Sequence, residues 1–126
     1  MPIVTLTVVR PKPLEFKRRL LSAVHAALCA AGVHPNDRFH RVLELDADDF
    51  DFDGTFPDVR TRRTGDFALF EILLGAGRST KVKKEILAHL ERGLRSDGFD
   101  TENLMVVFLD VPWENWSPAG GRMPHG

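Results

Sequence analysis

With 126 residues, 43% of them apolar, and a formal net charge of −1, the chain has material for one core and not for a second. The near-neutral balance lacks the basic excess of a general nucleic-acid binder, and no run of about 20 apolar residues is present to span a membrane. The expectation is one domain over residues 1–126, engaging neither nucleic acid nor membrane. It is also expected to be cytoplasmic, since Met1 leads straight into a strand pattern without a basic leader or a long apolar stretch.

From residue 2 onward, Val4, Leu6 and Val8 alternate with Ile3, Thr5 and Thr7, and β-branched residues dominate, so a strand starts at Pro2. Arg10 to Pro13 breaks it, with prolines suited to a turn and a helix start. Phe16, Leu20, Val24, Ala27, Leu28 and Ala31 then fall on one helical face, with Lys17, Arg18 and Arg19 on the other, and Gly32 provides the stop. Residues 39–45 read as a second strand. The stretch 46–66 is acidic, then basic, and rich in loop formers, a connector or a small hairpin. Residues 67–74 form a strand, 80–95 a helix closed by Gly98, and 104–111 a last strand. In the tail, 112–126, Trp113 and Trp116 are expected to dock on this subunit or on a neighbour. Cys29, the only cysteine, excludes an intramolecular disulfide and reads as a buried structural thiol, with no activating base evident nearby in sequence.

The two halves repeat one pattern. Sliding the chain by 66 residues, the separation of Gly32 and Gly98, superposes Val4 on Phe70, Leu6 on Ile72, Val8 on Leu74, Leu20 on Ile86, Val24 on Leu90 and Leu28 on Leu94 without a gap. Identity is weak, but the pattern marks a duplicated β-α-β unit, at about 2–45 and 67–111. Right-handed crossovers make the strands within each unit parallel. The expected class is α/β: a four-stranded sheet with both helices on one face. The other face is also apolar and is expected to be covered by another subunit.

Two such units with proline directly after the initiator methionine resemble the tautomerase superfamily over nearly the whole chain. Three motifs point to the malonate semialdehyde decarboxylase-like branch. Pro35-Asn36-Asp37-Arg38 resembles its Pro-x-Asp-Arg stretch, Gly77-Arg78-Ser79 the turn before its second helix, and Trp116-Ser117 with trailing glycines its tail. The chain departs from that pattern at Ala76, where those enzymes carry a further arginine. The resemblance implies a homotrimer with active sites near the amino-terminal prolines. It also implies a cofactor-independent enzyme of tautomerase type acting on a small, carboxylate-bearing oxo acid. Decarboxylation or hydration of a 3-oxo acid such as malonate semialdehyde is the alternative, and a non-enzymatic trimeric ligand-binding module is the alternative of another class.

Pro2 is the principal catalytic candidate. Its nitrogen is basic only when it ends the chain, so the role requires loss of Met1. A free α-amino group has a pKa of about 7.7–8.0, which apolar burial and nearby cations lower. The structural alternative is that Pro2 merely opens an edge strand, but it superposes on Ala68, so the repeat itself does not demand proline. Arg78 is expected to hold a substrate carboxylate. It enters the second helix with Lys81, Lys83 and Lys84 following, where the exposed N–H groups favour acids instead, and a solvated basic face is the alternative for the lysines. Asp37 is expected to activate water or assist proton transfer, unless it pairs with Arg38 or caps the turn. Trp116 either walls the pocket or packs at a subunit interface, the latter favoured.

Other signals are set aside. Asp49 to Gly54 matches the opening of a calcium-binding loop, but position 12 is Arg60 and no helices flank it. His25, His34, His40, His89 and His125 show no metal-ligand spacing, and no glycine-rich phosphate loop follows a strand, so neither metal nor cofactor is expected.

Overall fold

A computed structural model describes residues 1–124. Its main elements are β1 (Pro2–Val9), α1 (Leu14–Ala30), β2 (His40–Leu45), β3 (Ala68–Gly75), α2 (Thr80–Ser96) and β4 (Leu104–Val111). Short 3-10 turns lie at Ala47–Asp49, Thr101–Asn103 and Trp113–Asn115. The four strands form one mixed sheet in the order β2-β1-β3-β4. The outer pairs are parallel and the central β1–β3 pair is antiparallel. Each parallel pair encloses its own helix, as a β-α-β crossover requires.

The repeat is present in the register itself. Val4 lies opposite His40 in the first unit and Phe70 opposite Val106 in the second, a constant offset of 66 residues. Shifting Pro2–Val9 and Leu14–Ala30 by that offset reproduces the bounds of β3 and α2. Across the centre, Thr5 pairs with Glu71, its own repeat equivalent. A local two-fold axis therefore passes through the sheet at that pair. Both helices also end alike. Gly32 and Gly98 adopt positive φ, 102° and 85°, and the next N–H reaches back to Leu28 and Leu94 at 3.1 and 3.0 Å.

One face of the sheet carries the core. Val4, Leu6 and Val8 with Phe70, Ile72 and Leu74 are fully buried against Leu20, Val24, Leu28, Ile86, Leu90 and Leu94. This periodicity of two on the strands and 3.6 on the helices is what the sequence displays. On the opposite face Leu43, Val107 and Leu109 stay exposed. The connector contains no strand among the described residues, which removes the hairpin alternative. Instead Phe50 and Phe52 pack on Phe67, and the Arg63 guanidinium lies 5.4 Å from the Phe67 ring centroid. Asp53, the third acid of the calcium-like stretch, spends its Oδ2 on the N–H groups of Thr55 and Phe56. Among the described residues no helix is long and apolar enough to cross a membrane.

Because Leu6 and Ile72 are repeat equivalents with no exposure, truncating either to alanine should lose about 2–5 kcal/mol of stability. Urea denaturation of the two single variants and the double checks this. Their adjacent strands predict a departure from additivity larger than about 0.5 kcal/mol.

Candidate active site

The start of β1 and the ends of β3 and β4 meet at one edge of the core. Pro2 is buried and lies opposite Leu74, one residue before the end of β3. The Met1 carbonyl accepts the Gly75 N–H at 3.1 Å, and the Met1 ammonium lies 3.3 Å from Asp37 Oδ2. Asp37 stands in the turn ahead of β2. Its other oxygen, Oδ1, is buried without a hydrogen-bond donor. Met1 thus spans the space between the Pro2 nitrogen, the Gly75 amide and the Asp37 carboxylate.

The repeat shows what is particular about this corner. In the second unit Asp37 corresponds to Asn103 and Met1 to Phe67. Asn103 is buried, taking the Thr64 N–H at 2.8 Å and donating to the Thr64 hydroxyl at 2.9 Å. There the incoming connector fills the corner. At the first unit the corresponding acidic side chain meets only the chain terminus.

The loop after β3 carries Arg78. Its Nη1 donates to the Gly75 carbonyl at 3.3 Å, which folds the guanidinium back toward the strand that pairs with Pro2. Arg78 has no carboxylate partner among the described residues. Ser79 caps α2, accepting the Val82 N–H at 3.2 Å. The lysines behave differently: Lys83 is tied to Asp110 at 2.8 Å, while Lys81 and Lys84 are exposed. Pro2, Asp37 and Arg78 are therefore gathered at one end of the sheet, and the lysines are not part of that group.

Both tail tryptophans dock on their own chain. Trp116 is buried within the chain, with Nε1 donating to the Val111 carbonyl at 3.1 Å. Trp113, expected from the sequence to dock but not named as a site residue, contacts the loop that carries Arg78. Its Nε1 donates to the Ala76 carbonyl at 3.1 Å, and its ring covers Gly75 so tightly that a Cβ there would approach it to 2.5 Å. The signal was the small-residue run Gly75-Ala76-Gly77 facing an otherwise unexplained aromatic tail. The rings of Trp113 and Trp116 sit 6.5 Å apart, so the tail braces the loop as one unit.

Two expectations need adjusting. Cys29 is half-buried instead of buried, and its Sγ lies 3.5 Å from His25 Nε2, a helical (i, i+4) contact that sets an imidazole beside the thiol. A cavity of about 490 Å3, lined by Phe16, Phe99 and Asn103 among others, lies at the opposite end of the sheet from Pro2. Among the described residues, which leave out His125, no group of three or more His, Cys, Asp or Glu side chains is placed to hold a metal ion.

Comparison with known proteins agrees with this architecture. A family model described as tautomerase enzyme matches residues 37–119. FG41 malonate semialdehyde decarboxylase inhibited by 3-bromopropiolate superposes with a TM-score of 0.85 at 19% identity, covering 95% of this chain and 91% of that one. A second malonate semialdehyde decarboxylase, described for its decarboxylase and hydratase activities, gives 0.85 at 22% identity over 95% and 92%. A fused 4-OT asymmetric trimer gives 0.76 at 19% identity over 98% and 96%. No curated protein matches the chain in sequence.

Gly75→Ala is expected to lose about 1–3 kcal/mol by forcing its Cβ into the Trp113 ring, with a change in tryptophan fluorescence. Combining it with Trp113→Ala should lose less than the two single effects added together, measured by denaturation.

Proposed function

The chain belongs to the tautomerase enzyme family, and from that premise we propose that it interconverts the keto and enol forms of a small oxo acid, with Pro2 as the proton-transferring amine once Met1 is removed. The observation that carries the proposal is the contact of the chain's terminal ammonium with Asp37, beside the loop that presents Arg78. Removing Met1 makes the Pro2 nitrogen the new terminus and opens the space that Met1 spans. It also frees the Gly75 N–H, which now bonds the Met1 carbonyl, to donate to a substrate oxygen. Arg78, lacking a carboxylate of its own, pairs with the substrate's in a charge-assisted bond. The neutral amine takes the enol proton and returns it to carbon. Asp37 Oδ1, buried without a donor, receives the substrate hydroxyl or a water.

A second reading is decarboxylation or hydration of a 3-oxo acid. Asp37 favours it, because a carboxylate beside the amine stabilises the charged form. A prolinium delivers a proton to the carbanion left by departing carbon dioxide, and then regains it from water. Ala76 weighs against this reading, since Arg78 is then the single arginine of the clamp.

The processed protein should have the mass of a chain lacking Met1 and should ketonise an enol-form aryl pyruvate. Pro2→Ala should lower kcat by about 100-fold or more, the usual scale of a general acid–base. Arg78→Ala should chiefly raise KM, and Arg78→Lys should rescue it only in part. Retention of Met1, or full turnover by Pro2→Ala, overturns the proline reading. Release of carbon dioxide from malonate semialdehyde without ketonisation selects the second.

We further propose a homotrimer closed through the apolar sheet face. Leu43, Val107 and Leu109 are too large a set of exposed apolar side chains for a solitary sheet, and neighbours such as the fused 4-OT proteins are trimers. Leu109→Asp should leave the circular dichroism of the chain intact while shifting its sedimentation from trimer to monomer.

A further inference from the structure

Beside the turn that carries Asp37, a cleft of about 370 Å3 lies between α1 and β2. Arg18, Ser22 and His25 line it from the helix, and Arg38 and His40 from the start of the strand. No carboxylate lines it, and neither arginine is in an ion pair among the described residues. The two imidazoles meet edge to face, with centroids 5.6 Å apart. His25 Nε2 lies 3.0 Å from the Pro35 carbonyl, an acceptor only, so in the neutral ring the proton sits there and Nδ1 is bare. His25 Nδ1 and His40 Nε2 are both buried without a partner. Burial, then the proximity of His25 and Arg38, hold His40 below the ordinary histidine range.

The duplication supplies an internal control. The equivalents of Arg18, His25, Arg38 and His40 in the second unit are Lys84, Glu91, Leu104 and Val106. There the same ground is settled conventionally: Glu91 bonds Arg95 at 3.0 Å and the Thr101 hydroxyl at 3.0 Å, and two aliphatic residues fill the strand positions. The fold therefore does not require four basic side chains with no counter-charge at this place. Like charges and unpaired buried nitrogens destabilise a site unless something of opposite charge enters it.

We infer that the α1–β2 cleft is a binding site for a tetrahedral dianion of the phosphate and sulfate class, held by Arg18 and Arg38 above the two imidazoles. Two guanidiniums approach from different elements. A planar carboxylate carries one charge and presents one two-oxygen edge to a fork, whereas a tetrahedral dianion offers a separate edge and a second charge to the other guanidinium, with the Ser22 hydroxyl adding a donor. The inference rests on the cleft alone and is independent of the reaction proposed for Pro2. A bound dianion stabilises the imidazolium form, so binding takes up protons. It therefore tightens as the pH falls toward the lowered midpoint that His40 has before the anion binds.

Sulfate is the probe, because its charge does not change over that range. Titrated into the assembled protein by calorimetry, it should bind saturably at one site per chain and about tenfold more tightly at pH 6 than at pH 8. The His40 titration midpoint, followed by NMR, should rise when sulfate is present. Arg18→Gln and Arg38→Gln should each weaken binding by about tenfold or more without moving the denaturation midpoint. Lys84→Gln, the repeat-equivalent control, should bind as the parent does. Inorganic phosphate and a phosphomonoester should both compete, and whichever competes more tightly identifies the free or the esterified form as the natural occupant. The inference is overturned if no saturable binding occurs, as when a neighbouring copy's carboxylate fills the cleft. It is equally overturned if acetate matches sulfate, if Lys84→Gln weakens binding as much as Arg18→Gln, or if the His40 midpoint stays fixed.

Discussion

The antiparallel pairing of β1 with β3, centred on Thr5 and Glu71, is the constraint on which the remaining geometry depends. Since these two residues are repeat equivalents, the register across the centre places each β-α-β unit as the two-fold image of the other. A slip by one residue would turn Val4, Leu6 and Val8 away from the helices and expose them. The same pairing brings the first residue of β1 beside Leu74, next to the end of β3. It thereby sets the chain terminus against the loop of Arg78, two residues that lie far apart in sequence.

A two-fold scaffold offers two equivalent corners, and the chain treats them differently. At the second, Phe67 is packed under Phe50, Phe52 and Arg63, and Asn103 is saturated by Thr64. At the first, an acid replaces the amide and keeps one oxygen without a donor. An amide fits a corner whose neighbour is a backbone N–H and a hydroxyl. A carboxylate fits one whose neighbour is a cation. The single change from Asn103 to Asp37 thus follows the charge of what each corner faces, and a neutral-amine or ammonium chemistry is available only at the first.

Much of this was legible in the sequence because it is periodic. The offset of 66 residues and the two helices and four strands follow from apolar spacing and glycine stops, which are local properties, whereas the grouping of Pro2 with Arg78 was suggested only by the family resemblance. Strand ends were less exact: residue 39 lies outside β2, though its carbonyl still accepts the Val4 N–H, and Gly75 completes β3. Contacts between distant segments left no such trace. Trp113 on Gly75 and the meeting of His25 with His40 depend on how the tail and the α1–β2 turn come back to the sheet. The Cys29–His25 contact was within reach of helical spacing, had the cysteine been read along its helix face instead of along the chain.

The divergence between the two units is itself informative about cause. The buried apolar positions of the core are matched by apolar ones, as with Val4 and Phe70, Leu6 and Ile72, and Leu28 and Leu94, because core packing constrains both copies. Polar positions are matched only in part: the Lys17–Glu44 pair recurs as Lys83–Asp110, but other polar positions differ. At the place equivalent to the α1–β2 cleft the second unit ties Glu91 to Arg95 and Thr101, whereas the first leaves Arg18 and Arg38 without a counter-charge and, at its corner, Asp37 facing the chain terminus. A packing requirement acts alike on both halves of a duplicated fold, so it does not by itself account for these local differences. The first unit presents, in the turn ahead of β2, an acid with one oxygen lacking a donor and, immediately after it, an arginine without a counter-charge, so that under the two proposals the adjacent residues Asp37 and Arg38 serve different ligands.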